Sequence, residues 1–352
     1  MDYQEYRRQR EEYIVKDVIR GRELFALEAL GVRVQGTCHL PGDEASGAQA
    51  RRHDLKGTGI LLISGLLSPR AAIGDSAVFW ADSFAKRGYT CFRVDLPGSC
   101  DSGGDAPPEL LSFINTGGYE AVTVEVIKQV VARYNLSSVI LMGHCSGTVT
   151  TLFAAAALKD CRGLVLLEPY FHLPPPVATK TREALSDWAA SNRLGGVLSN
   201  LFDRLKALRL RLRLRSSELP GNANLPLLDC WKSLASAGLP ILVLKAPSPK
   251  ASGSKPRLGD FDYLSYVIHL GGTRSRVDLR VIEGAGHSFA DRTGRAVVRN
   301  FTEAWLGQYF PVEKTETPLL QVQDLQSIEI NPVTLAAAVP AYVSSGERIG
   351  AL

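Results

Sequence analysis

Apolar positions along the chain fall into two patterns. Short, nearly continuous runs rich in β-branched residues occur at 32–40, 59–64, 90–95, 138–142, 163–168, 240–245 and 278–283. Runs such as G-I-L-L-I-S (59–64) and P-I-L-V-L-K (240–245) leave no polar face, as expected of strands covered on both sides. Between them, apolar residues at steps of three and four predict helices over 75–87, 118–134, 146–158, 260–270 and 291–309. Strand and helix in alternation predict an α/β fold, a mostly parallel central sheet flanked by helices.

Three segments break this rhythm. Residues 1–28 carry dense charge and read as an N-terminal charged helix leading into the first strand. Residues 171–239 are far longer than a crossover needs and open on Pro174, Pro175 and Pro176. They read as an inserted helical cap, in which Leu198, Leu201, Leu205, Leu208 and Leu212 form one apolar stripe. Residues 312–352 have little periodicity and read as a C-terminal tail. The predicted core is therefore 29–170 together with 240–311.

Composition adds mainly exclusions. With 40 basic against 36 acidic residues, the net charge of +4 is too mild to argue for nucleic acid as a partner. Six cysteines without C-x-x-C spacing fit free thiols better than zinc or a disulfide framework. The charged N-terminal residues lack the apolar stretch of a signal peptide. No apolar run reaches the roughly 18 residues of a membrane span. The expected location is cytoplasmic.

The chemistry concentrates in G-H-C-S-G (143–147). Cys145 follows the run 138–142 and precedes a helix of small residues, with Gly143 and Gly147 two positions to either side. This spacing makes a tight strand-to-helix turn that presents one side chain in strained, exposed geometry. The helix N-terminus is expected to favour a thiolate there. Read alone, a cysteine after a strand is more often core than catalyst. A general base is expected late in the chain, and V-I-E-G-A-G-H-S-F (281–289) places His287 in a glycine-rich loop just past a strand. His144 reads as packing beside the turn, and Asp95 and Asp101 as loop-fixing residues.

Together these motifs resemble the α/β-hydrolase superfamily over roughly residues 30–310. G-H-C-S-G is similar to that family's G-H-S-x-G with Ser replaced by Cys. V-D-L-P-G-S-C-D-S-G (94–103) is similar to its D-x-P-G-x-G-x-S loop, Cys100 standing where glycine is usual. G-A-G-H-S (284–288) is similar to the loop that carries the family's histidine. The resemblance implies a Cys145 nucleophile, a His287 base and an oxyanion hole from the backbone N–H groups of Ser146 and Leu66. Ser64 stands where the family usually has histidine before that second donor. For the acid it implies Asp262 first, with Asp260 and then Glu168 as alternatives, since some members carry the acid at the Glu168 position. Helix capping is the competing role for Asp260 and Asp262.

The implied activity is acyl transfer, a hydrolase of an ester or thioester working through an acyl-cysteine and needing no cofactor or metal. The cysteine variant resembles dienelactone hydrolases and polyhydroxyalkanoate synthases, so an acyltransferase or cyclase acting on a carrier- or coenzyme A-linked acyl group is the alternative. A catalytically inactive binding protein is the third reading. The expected partner is a small-molecule acyl substrate. The basic run R-L-R-L-R-L-R (209–215) reads as a solvated face or as a surface for an acyl carrier.

Overall fold

The computed structural model describes residues 21–42, 57–66, 68–173, 219–247, 261–270 and 272–312. All lie within the unit that ends at Val312. The described part of the cap (171–173 and 219–239) is treated below. Its leucine stripe, the 209–215 arginines, Asp260 and the tail beyond Val312 lie outside the described residues.

The described strands are β1 (Arg22–Ala29), β2 (Val32–His39), β3 (Thr58–Ile63), β4 (Thr90–Val94), β5 (Ser138–His144), β6 (Cys161–Leu167), β7 (Pro240–Lys245) and β8 (Arg276–Val281). They form one sheet in the order β1-β2-β4-β3-β5-β6-β7-β8. β1 and β2 pair antiparallel with each other and β2 with β4; the remaining pairs are parallel. The described helices are α1 (Ser76–Lys86), α2 (Leu110–Asn115), α3 (Glu120–Arg133), α4 (Ser146–Ala157), α5 (Leu225–Ser236), α6 (Tyr263–Leu270) and α7 (Arg292–Tyr309).

Alternation along the strands divides the core in two. Leu61, Ile63, Val139 and Leu141 point to the face covered by α3, α4 and α5. Ile60, Leu62, Ile140 and Met142 point to the face covered by α1 and α7. Strands β3, β5, β6 and β7 are therefore buried on both sides, as their continuous apolar runs predicted. The outer strand β8 keeps water contact and carries Arg276, Asp278 and Arg280, charges that discourage pairing with another edge.

Two sequence expectations are corrected. Residues 22–28, predicted to end a helix, lie in β1. Phe25, Leu27 and Ala29 are buried at every second position, and that period wins over the flanking charges. The Leu30–Gly31 turn, with positive φ at both residues (51° and 78°), returns the chain into β2. The second correction narrows the cap. Helix α5 lies against the sheet, burying Leu227, Leu228, Trp231 and Ala235 in the core, and its Trp231 Nε1–H donates to the Val267 carbonyl at 2.7 Å. The excursion leaves and returns at one point, where His172 bridges Ala223 and Leu173 N–H donates to the Asn222 carbonyl at 2.7 Å.

Candidate active site

Cys145 sits between β5 and α4 with φ 52° and ψ −122°, a conformation L-residues rarely adopt. The neighbouring packing holds it there. A Cβ on Gly143 would lie 2.5 Å from Thr151 Oγ1 and 2.8 Å from the Thr148 Cα, and one on Gly147 would lie 2.5 Å from the Ile63 carbonyl oxygen. Only glycine lets α4 approach the strands closely enough to close the turn. Backbone bonds fix it further, the Cys145 N–H donating to the Leu167 carbonyl at 2.8 Å and the Thr148 N–H to the Cys145 carbonyl at 3.0 Å. The turn expected from the glycine spacing is present.

The loop after β3 comes against this turn. A Cβ on Gly65 would lie 3.2 Å from the His144 carbonyl oxygen and 3.3 Å from Cys145 Cβ. Leu66 and Ser146 thereby share the wall of one cavity of about 640 Å³ with Cys145, Glu168 and His287. Much of the remaining wall is apolar, including Leu111, Pro169, Ala246 and Ala285. A cavity of this size that mixes apolar walls with polar groups, among them Tyr170, His172 and Lys245, suits a small organic ligand.

His287 comes from the loop between β8 and α7. Its Nδ1 lies 3.5 Å from Glu168 Oε2, and its side chain is 63% exposed whereas that of Glu168 is 11% exposed. The carboxylate is thus shielded while the imidazole stays open to the cavity. The other Glu168 oxygen accepts the Ala246 N–H, which fixes the carboxylate at the end of β6. A second imidazole supports the loop, with His144 Nε2 2.9 Å from the His287 carbonyl oxygen.

Asp262, the first expectation for the acid, does other work. Its Oδ1 accepts the Ser265 N–H at 3.1 Å and its Oδ2 the Ser265 hydroxyl at 2.5 Å, so it caps α6. Those bonds hold its carboxyl below the usual carboxylate range. The acid that faces His287 is Glu168, the third expectation. Asp95 and Asp101 do fix a loop. Asp95 accepts the Arg70 N–H at 2.6 Å, and the Arg70 guanidinium also reaches Asp101 at 2.7 Å.

The thiol differs from its sequence expectation. Burial pushes the Cys145 thiol above its ordinary pKa, a nearby Ser146 N–H pulls it down, and the Glu168 charge pushes it up again. The net direction is upward, opposite to the helix-terminus expectation. Tyr170, on the same cavity wall, is pushed up to about 12, first by burial and then by its proximity to Cys145. Sequence reasoning singled out neither Tyr170 nor His172, and no local motif distinguishes them from other aromatic residues.

A family model described as the alpha/beta hydrolase fold matches residues 60–235, half of the chain. The chain belongs to the α/β-hydrolase fold family. The structural relatives of this α/β-hydrolase agree at low identity. The α/β hydrolase GrgF from Penicillium sp. sh18 is 14% identical with a TM-score of 0.51, covering 83% of this chain and 99% of GrgF. The Pyrococcus furiosus esterase Pf2001 is 12% identical with a TM-score of 0.51, covering 84% of this chain and 95% of the esterase. These likenesses concern the fold alone. No curated protein matches the chain in sequence. No described helix of this α/β-hydrolase is long and apolar enough to cross a membrane.

Proposed function

We propose that this α/β-hydrolase cleaves an ester or thioester through an acyl-cysteine, with Cys145 as nucleophile, His287 as general base and Glu168 as the acid that orients it. The observation that carries this reading is the strained Cys145 turn opening on the same cavity as the His287–Glu168 pair. Strain of this kind persists only where surrounding packing enforces it, and here the enforcing contacts leave the part-buried Cys145 lining the cavity.

The chemistry follows from the electrostatics. With burial favouring the thiol form of Cys145, His287 takes its proton as the sulfur attacks the substrate carbonyl carbon. The new S–C bond forms while the carbonyl π pair moves onto oxygen. The N–H groups of Ser146 and Leu66 receive that oxyanion. The imidazolium on His287 is stabilised by the Glu168 carboxylate across 3.5 Å. Collapse expels the alcohol or thiol, which takes its proton from His287 and leaves the acyl group on sulfur. Water then gives a proton to His287 and its oxygen to the acyl carbon, releasing a carboxylic acid and restoring the thiol.

The substrate expected is a small acyl ester or thioester, including carrier- or coenzyme A-linked forms, with no cofactor or metal in the chemistry. The test is intact-protein mass spectrometry after mixing with p-nitrophenyl butyrate. A transient mass increase of one butyryl group, absent in Cys145→Ala, supports the reading. Nitrophenol release without Cys145 dependence overturns it. An adduct that persists in water and clears only when an alcohol or amine is added would assign acyl transfer to an acceptor instead of hydrolysis.

A further inference from the structure

His144 immediately precedes the candidate nucleophile, at the end of β5. Strand alternation sends its side chain to the same face as Ile140 and Met142, and that is the face on which the His287 loop packs through buried Phe289. The His144 ring lies 5.7 Å from the His287 ring and 6.2 Å from Phe289, centroid to centroid. Its Nε2 lies 2.9 Å from the His287 carbonyl oxygen. A carbonyl only accepts, so Nε2 carries the proton and donates.

We propose that His144 is a positioning residue that ties the backbone of His287 to the strand carrying Cys145. The proposal rests on the acyl-cysteine reading above. Glu168 orients the imidazole through Nδ1, but an ion contact to a ring does not set where the loop stands. The loop's own turns, Ala285 N–H to the Ile282 carbonyl and Phe289 N–H to the Gly286 carbonyl, fix its shape but not its distance from the elbow. Buried Phe289 anchors the loop two residues further on, and the His144 bond sets the distance at residue 287 itself. It joins residue 287 to the residue covalently attached to the nucleophile, so movement of β5 carries both groups together. Burial, the largest influence, keeps His144 below the ordinary histidine pKa, and a charge on His287 acts in the same direction. His144 therefore stays neutral while His287 carries the proton, and the tie does not become a second cation beside the imidazolium.

The test is steady-state hydrolysis of p-nitrophenyl butyrate by the full chain and its variants. His144→Phe keeps a ring but loses the donor, and should lower kcat about 10- to 100-fold with KM within about twofold, as displacement of a base by a fraction of an ångström to an ångström does. His144→Gln, whose terminal amide N–H reaches to about the same point, should recover most of the loss. In a His287→Ala background, His144→Phe should cost less than about twofold, because two residues acting through one group are not additive. Parent-like kcat in His144→Phe, or an equal loss in both backgrounds, overturns the proposal. If the phenylalanine protein does not fold, His144→Asn serves instead. Its amide is too short to reach, so it should show the same kcat loss, and parent-like turnover overturns the proposal equally. Absence of a Cys145 adduct in the parent removes the proposed function and this role together. An adduct in the parent with undiminished His144 variants removes this role alone.

Discussion

Glu168 Oε2 stands 3.5 Å from His287 Nδ1 across the carboxyl ends of β6 and β8. The same carboxylate is held from behind by the Ala246 N–H. Glu168→Gln removes the negative charge that the proposed mechanism sets against the imidazolium while keeping a group of the same size. Turnover is expected to fall about 10- to 100-fold, less than in serine systems because a thiol gives up its proton more readily. Asp262→Asn should leave kcat unchanged and move stability by no more than a few tenths of a kcal/mol, because an asparagine side-chain oxygen caps a helix about as well as that of aspartate. Steady-state kinetics and thermal denaturation of the two proteins check this pair of outcomes. The reverse ranking would return the acid to Asp262.

The contrast between these two carboxylates shows where sequence reading stops. The placement of Cys145 at a tight turn and of His287 in a loop on the same cavity is legible because the signals are local, glycines at fixed offsets beside a strand. The acid is not a local property. Glu168 directly follows β6 whereas Asp262 follows β7 only through a lengthened loop, and the choice depends on which of them meets the loop at 283–289. The sheet order places β7 between β6 and β8, so order alone would favour a residue after β7, and the Glu168–His287 contact depends instead on how that loop folds back. The sequence reading that puts α5 in the cap fails for a similar reason. Its sequence is amphipathic in either setting, and only the burial of Trp231 against the sheet assigns it to the core. Strand β1 is masked by the charges at Arg22 and Glu23, both partly exposed at its start, and at Glu28 on its exposed face.

Gly147→Ala tests the closeness of the turn. The added methyl would stand 2.5 Å from the Ile63 carbonyl and 2.6 Å from that of Ser64, both backbone atoms that cannot swing aside. Helix α4 must then move away from β3, at a cost of about 2–3 kcal/mol or more. The melting temperature should fall by several degrees, measured by circular dichroism, and Cys145 acylation should be lost. Gly286→Ala, with no heavy atom within 4 Å of its added Cβ, is the control for stability.

A buried histidine far from the cavity predicts acid sensitivity. His39 is 1% exposed, its Nδ1 lies 2.8 Å from Asp82 Oδ1, and its Nε2 accepts from Arg93 Nε at 2.8 Å. A second proton would have to enter at Nε2, facing the arginine donor. Burial first, and then the Arg93 charge, lower its pKa in spite of the opposing pull of Asp82. Asp82 itself, bonded to His39 and Arg22, is held at about 2, so it stays ionised throughout. With the folded value below the unfolded one of about 6.5, the native state binds fewer protons, and stability is complete above that value. It should decline as pH falls below it, by up to about 1.4 kcal/mol per pH unit until the folded pKa is reached. Urea unfolding at pH 7.5 and 5.5 measures the difference, which should shrink in His39→Gln.

The last expectation concerns the sulfur. A thiolate stabilised by a helix terminus would react with iodoacetamide near neutral pH, with a midpoint well below that of a free thiol. Burial and the Glu168 charge act the other way and exceed the help of the Ser146 N–H. The rate of Cys145 alkylation, followed by mass spectrometry of the labelled peptide, should therefore rise with pH through a midpoint above about 8.5, the ordinary thiol value. Glu168→Gln separates the two roles of that carboxylate. Removing its charge should move the alkylation midpoint down, making the sulfur more reactive toward iodoacetamide, while turnover of p-nitrophenyl butyrate falls. Both changes follow from one substitution, and a catalyst whose thiolate preceded substrate would show neither the high midpoint nor the opposite signs. A midpoint below about 7 in the parent would instead mean a resting thiolate–imidazolium pair, as in other cysteine enzymes. His287 would then have taken the proton before the substrate arrives, and the general-base step would fall.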